Sequence, residues 1–189
     1  MVVTYFGDGC FRFQSGERSL LVDSNNNRLK ADIELKTLTP VDGAPESPTE
    51  ITYAGEYEIG GIEIQGFEVE KESTQKFVKT VYAIEWEDTR IVVLGHISKA
   101  LDPEIAENFD EIDVLVVPMG GEHFLSAGEA KTIVKQLEPS IVLPSFYGNP
   151  SALGKALDRK IVSEEKLVFK KKELKAGEGK IIVLESKTS

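Results

Sequence analysis

The chain holds only two histidines, one cysteine, two methionines and one tryptophan in 189 residues. So few imidazole and thiolate groups exclude a binuclear zinc site of the usual His-rich kind, in which each metal takes three or four N, S or O donors. The single Cys10 excludes an internal disulfide, and with it the small secreted scaffolds that such bridges hold together. No apolar run reaches the ~18 residues that span a bilayer. The opening MVVTYFGDGCF has no basic stretch followed by an apolar one, so neither anchor nor signal peptide is expected, and the default compartment is cytoplasmic. Repeats of 20 to 50 residues and low-complexity linkers are absent as well.

What is present is a soluble, acidic composition. The 22 Lys and Arg against 32 Asp and Glu give 22 − 32 = −10 at pH 7, the pI is about 4.8, and 41% of residues are apolar. At this length folding removes roughly 70% of the unfolded chain's surface from water, enough for one core without staples. A single domain over residues 1–189 is expected. The negative charge repels phosphate backbones, so no nucleic acid is expected as a partner; a basic protein or a second copy of the chain fits better. The one basic stretch, residues 166–175 (KLVFKKKELK), reads as a solvated segment after a strand.

The first two thirds read as β structure. Residues 2–6, 10–14 and 19–22 are short β-prone runs broken by Gly7-Asp8-Gly9 and Ser15-Gly16-Glu17, the pattern of an antiparallel meander. Residues 23–28 (DSNNNR) form a polar turn, residues 31–36 alternate, and residues 39–49, with three prolines, read as a loop. Strands are expected at 51–53, 57–59, 62–69, 78–86 and 90–94. In the third of these Ile62, Ile64 and Gly66 face one side and Glu63, Gln65 and Phe67 the other. The last third changes character. Asp102-Pro103-Glu104 opens a short helix. Residues 114–117 are an unbroken apolar run typical of a strand covered on both faces. Ser126 with Glu129 makes a capping box for a helix through Leu137 that Pro139 ends. Strands at 141–143, 166–169 and 180–184 and a helix at 150–157 complete the reading, an α/β arrangement with helices outside two sheets.

Four blocks in order carry a family resemblance: residues 52–62 (TYAGEYEIGGI), 80–95 (TVYAIEWEDTRIVVLG), 113–121 (DVLVVPMGG) and 138–147 (EPSIVLPSFY). With the opening MVVTYFGDGCFRFQ they resemble, over nearly the whole chain, the metallo-β-lactamase fold, in the branch of small metal-dependent hydrolases related to the UlaG-like lactonases. The resemblance implies an α/β (α+β) fold: an αββα sandwich of two facing mixed β-sheets with helices outside, and an active site at one edge. It also implies a His-x-His-x-Asp-His loop, a later His, a bridging Asp and a last His, holding metals that polarise the substrate and generate a hydroxide nucleophile. Here that loop follows residues 31–37. Leu38, Pro40 and Gly43 stand where histidines belong, and only Asp42 matches. Between Asp42 and Thr80 there is no histidine; His96 takes the place of the bridging Asp, and Phe146 that of the last His. Leu, Pro, Gly and Phe have no side-chain donor for a metal.

Other chemistry-bearing residues read more plainly as structure. His123, in the glycine-rich stretch after residue 119, reads as a solvated loop residue rather than a general acid. Cys10 reads as a small buried hydrophobe. Gly55, Gly60 and Gly61 flank strands rather than a helix start, so hairpin geometry explains them better than a phosphate cradle. Glu56 and Glu58 share one face of a strand, with nothing to place a sugar between them. The sequence therefore points to a metallo-β-lactamase fold without its metal centre, a non-catalytic pseudoenzyme acting as a binding or assembly module, with no cofactor. The competing reading is a zinc- or manganese-dependent hydrolase of phosphodiesters or lactone esters, its site rebuilt around Asp42 and His96 with His123 or Asp8 assisting.

Overall fold

Period-two alternation at residues 2–5 and 62–66 buries one face of a strand and leaves the other nearer water. In the computed structural model, which describes residues 1–158 and 160–187, β1 (Val2–Tyr5), β2 (Phe11–Ser15) and β3 (Arg18–Val22) form the expected meander. Then β4 (Ile33–Leu35) joins β3 in parallel, β6 (Glu50–Ile51) joins β4 in parallel, and β14 (Leu167–Val168) closes the far edge against β1. This six-stranded sheet is mixed, in the order β14-β1-β2-β3-β4-β6.

The second sheet has nine strands. Its antiparallel part runs through β7 (Gly55–Ile59), β8 (Ile62–Glu68), β9 (Phe77–Trp86) and β10 (Thr89–Val93), with Gly60 and Gly61 turning the β7–β8 hairpin. Its parallel part continues through β11 (Val114–Pro118), β12 (Ile141–Ser145), β15 (Lys180–Leu184) and β13 (Ile161–Glu164). The remaining strand, β5 (Leu38–Pro40), pairs only with β9, Leu38 opposite Lys79 and Pro40 opposite Phe77. The sequence reading made residues 39–49 a loop; instead the chain starts as an edge strand, where a proline without an N–H is tolerated. The other unanticipated strand is β13, whose four residues are at most half-buried and so carry little apolar pattern.

The two sheets pack face to face. Val3, Phe11, Phe13, Leu20 and Ile33 from the smaller sheet and Ile64, Tyr82, Ile84, Val116 and Leu143 from the larger share one apolar cluster. The unbroken apolar runs of β11 and β12 are buried throughout because the larger sheet is covered on its other side too. There α1 (Pro103–Ala106), α2 (Ala127–Leu137) and α3 (Pro150–Leu157) pack on it, with Ala130, Ile133, Leu137, Leu153 and Leu157 against Val92, Leu115, Val117 and Val142. Helix α2 starts at the expected capping box: the Ser126 hydroxyl accepts from Glu129 N at 3.3 Å, and Glu129 Oε2 accepts from Ser126 N at 2.9 Å. It ends at Glu138 in the left-handed conformation just before Pro139. The basic run near the C-terminus is mostly exposed, but Lys171 reaches back to the buried Asp113.

The relative size of the inter-sheet and capping contributions is measurable by urea unfolding. Phe13→Ala empties a fully buried site between the sheets and is expected to cost about 3–5 kcal/mol. Ser126→Ala removes one helix cap and is expected to cost about 1 kcal/mol.

Candidate functional site

Three strand ends meet at one edge of the sandwich. Asp23 follows β3 directly, Thr37 lies between β4 and β5, and His96 follows β10 after Gly95. Asp23 takes a left-handed backbone, φ 45°, a conformation that Asp tolerates better than bulky residues. Its own N–H is fixed by Leu35 O at 2.8 Å, and both carboxylate oxygens turn to Thr37. Thr37 N donates to Oδ1 at 2.8 Å and the Thr37 hydroxyl donates to Oδ2 at 2.6 Å.

The same hydroxyl lies 2.7 Å from His96 Nδ1, and Asp23 Oδ2 lies 3.7 Å from that nitrogen. A hydroxyl has one proton. Once it is given to Asp23, Nδ1 must donate to the Thr37 oxygen, which leaves Nε2 of the neutral ring as its acceptor. Gly95 makes this approach possible: at φ +58° a Cβ there would sit 2.2 Å from Thr37 Cβ, well inside contact. The group is largely withdrawn from solvent, with the Asp23 side chain 10% exposed and that of His96 21%. Burial pushes the His96 imidazole below its ordinary pKa, against the opposing pull of the Asp23 carboxylate. Burial likewise pushes the Asp23 carboxyl up, against His96 and the Thr37 hydrogen bonds.

Phe146 covers the imidazole. Its ring centroid lies 5.0 Å from that of His96, and Phe124 stacks on Phe146 at 4.0 Å with 12° between the planes. Phe146 adopts φ 53°, an outlier for a bulky side chain and a sign that its surroundings hold it there. One part of those surroundings is Gly9, where a Cβ would come within 2.3 Å of the Phe146 ring.

Beside this group opens a cavity of about 500 Å³ whose wall includes Asp23, Leu38, Pro40, Gly43 and His96. Of the six residues matched to ligand positions of the resemblance, the structure therefore brings together four on this wall, Leu38, Pro40, Gly43 and His96, with Phe146 on the imidazole. Asp42 is exposed and lies outside that wall; the carboxylate facing His96 is Asp23. Asp8 also lines the cavity. His123 is exposed, two residues after the φ 65° turn at Gly121. Cys10 is buried and its thiol is pushed up to about 11, chiefly by burial. Glu56 and Glu58 line a separate surface cavity of about 470 Å³ with Arg90.

A binuclear metal centre does not fit the residues present. Leu38, Pro40, Gly43 and Phe146 offer no side-chain donor, His96 Nδ1 is engaged by Thr37, and no three or more His, Cys, Asp or Glu side chains converge in a way that could hold a metal among the described residues. Sequence reasoning missed Asp23 and Thr37. Their signal was weak: an acid placed directly after the apolar run LLV, and a threonine closing the alternation of residues 31–37.

The threonine hydroxyl and the imidazole each have a measurable signature. Thr37→Val leaves a buried carboxylate oxygen and the His96 N–H without their partner, an expected loss of about 1–3 kcal/mol by denaturant titration. For His96, the unfolded imidazole takes up a proton near pH ~6.5 that the folded protein resists. Stability is therefore retained above that pH and falls as pH drops below it toward the folded pKa. His96→Gln is expected to flatten this acid limb in melting curves taken across the range.

Comparison with known proteins agrees with the two-sheet fold. A family model described as the Beta-lactamase superfamily domain matches residues 2–145. A UPF0173 protein of Pyrococcus furiosus is 32% identical over 130 residues, covering 69% of this chain and 60% of that protein. The chain thus spans about 60% of the length of the curated relative it matches. Among solved structures, a Thermotoga maritima protein of the metallo-β-lactamase superfamily, to which zinc-dependent hydrolase activity is ascribed, superposes with a TM-score of 0.80 at 23% identity, over 97% of both chains. Igni18, a metallo hydrolase from Ignicoccus hospitalis, gives a TM-score of 0.67 at 16% identity, over 98% of this chain and 95% of that one. With its facing mixed sheets, its site at their edge and a family match over most of its length, the chain belongs to the metallo-β-lactamase superfamily.

Proposed function

We propose that the chain is a non-catalytic, metal-free member of the superfamily that acts as a binding or assembly module. One observation carries this reading. At the cavity the ligand positions hold Leu38, Pro40 and Gly43, while the one imidazole that remains, His96, is tied to Thr37 and covered by Phe146. Hydrolysis in this fold would require a polarised water, and a largely buried imidazole with only the Asp23 carboxylate beside it and no third donor among the described residues is poorly placed to hold a metal that generates one. The frame around it is intact, which suits a scaffold that presents a surface or a pocket. The net charge of −10 favours a basic protein partner or a second copy of the chain over nucleic acid. No helix among the described residues is long and apolar enough to cross a membrane, and a cytoplasmic setting is part of the proposal.

Elemental analysis of the purified protein, after dialysis against zinc or manganese, tests the reading together with a panel of phosphodiester and lactone substrates. The expected outcome is substoichiometric metal, hydrolysis at the no-protein rate, and no change in either on His96→Ala. Stoichiometric metal that disappears in His96→Ala, together with turnover, would establish the hydrolase instead. Light scattering and cross-linking address the assembly role, and a lone monomer with no interactor counts against it.

A further inference from the structure

The larger sheet ends in a strand whose outer edge is free. Strand β7 (Gly55–Ile59) pairs with β8 alone, and among the described residues no other backbone group bonds to it. It runs in unbroken register without a proline or a bulge, so its edge is a template for one more strand. Its core-facing side chains, Tyr57 and Ile59, are only partly buried against the inter-sheet cluster. A further strand with apolar side chains on that face would finish covering them.

The other face of the same strand carries an unbalanced charge. Glu58 lies directly opposite Glu63, and Glu63 opposite Glu85, so three glutamates stand in one cross-strand row. Arg90 ends the row on β10 and pairs with Glu85 at 3.1 Å. No ion pair reaches Glu56, Glu58 or Glu63 among the described residues, and Arg18, another cation near the hairpin, rests on Gly60 at its turn. Like charges directly opposite are destabilising, and a cation beside the last of them relieves the repulsion. The free edge and the end of the row that lacks a cation are the same strand.

This coincidence selects the occupant. Two copies of the chain paired through β7 about a two-fold axis would set same-face residues opposite one another. Glutamate would then face glutamate in every register that pairs more than the strand's tip, which disfavours self-association. We propose that β7 is a docking edge for an extended basic segment of another protein, added to the sheet as its next strand. Lysine or arginine at alternate positions faces Glu56 and Glu58, and the apolar residues between them cover Tyr57 and Ile59. Main-chain hydrogen bonds supply the affinity, and the alternation supplies the specificity. This partner class rests on the reading of the chain as a binding module.

Isothermal titration of the full chain with an alternating lysine-valine octapeptide, in chelator and ~0.15 M salt, tests it. Three octapeptides serve as controls: alternating glutamate-valine, four lysines followed by four valines, and the alternating lysine-valine peptide methylated at every backbone nitrogen. The last two keep the charge and lose, respectively, the alternation and the strand's donors. One alternating lysine-valine peptide is expected to bind per chain, with amide hydrogen exchange slowed at residues 55–59. The block and methylated peptides are expected to bind at least about tenfold more weakly, and the glutamate peptide not at all. Glu58→Gln combined with Glu63→Gln is expected to weaken binding about fivefold without loss of folding stability, since it removes opposed like charges. Absent binding, equal binding of the block or methylated peptide, protection elsewhere than β7, or unchanged affinity in the double variant would overturn the assignment. Zinc-dependent turnover defeats the binding-module reading, whereas a protein that shows neither turnover nor peptide binding defeats the edge assignment alone.

Discussion

Phe13 and Leu20 from one sheet and Tyr82 and Ile84 from the other enter a single apolar layer, and the loops at the sandwich edge inherit their positions from it. Each of these residues is essentially inaccessible to water, so a strand cannot slip by one residue without turning its apolar set outward. That register fixes where β3, β4 and β10 end. It therefore also fixes that Asp23, Thr37 and His96 arrive at one point, although 59 residues separate the last two. Tyr82 joins the core to the edge directly: its hydroxyl, in a side chain otherwise buried between the sheets, donates to Lys36 O at 3.1 Å, next to Thr37.

The legibility of each element in the sequence follows from how local its cause is. Helix α2 was readable because its start is set by two residues three apart, Ser126 and Glu129, and its stop by Pro139. Strand β8 was readable because Ile62, Ile64 and Gly66 alternate with Glu63 and Gln65. Strand β5 was not, since its three residues gain their order only by pairing with β9, some 40 residues on. The site divided the same way. Residue types alone showed that Leu38, Pro40, Gly43 and Phe146 bring no donors, and the family resemblance supplied the positions. The carboxylate beside His96 was not legible, because Asp23 reaches the imidazole through contacts that cross three strand ends and leave no periodic trace.

His96 and Phe146 depend on one another. An imidazole brought into a half-closed edge loses water on its ring faces, and its charged form loses most. The aromatic pair Phe124 and Phe146 covers the ring with apolar surface, while Thr37 satisfies the nitrogen that points inward. The arrangement rewards a neutral histidine with one hydrogen bond in the plane and apolar contact above it. Phe146 holds its left-handed backbone for this packing, and Gly9 and Gly120 give it room, since a side chain at either would collide with it.

The same physics links the lost donors to the intact frame. Histidines at the positions of Leu38, Pro40, Gly43 and Phe146 would, without a metal, be polar groups crowded at a half-buried edge and short of partners, each carrying a desolvation penalty. Apolar or missing side chains avoid that penalty. Asp23 is the one acid withdrawn from solvent at this edge, and it stays compatible with the frame because Thr37 supplies both a backbone and a hydroxyl donor.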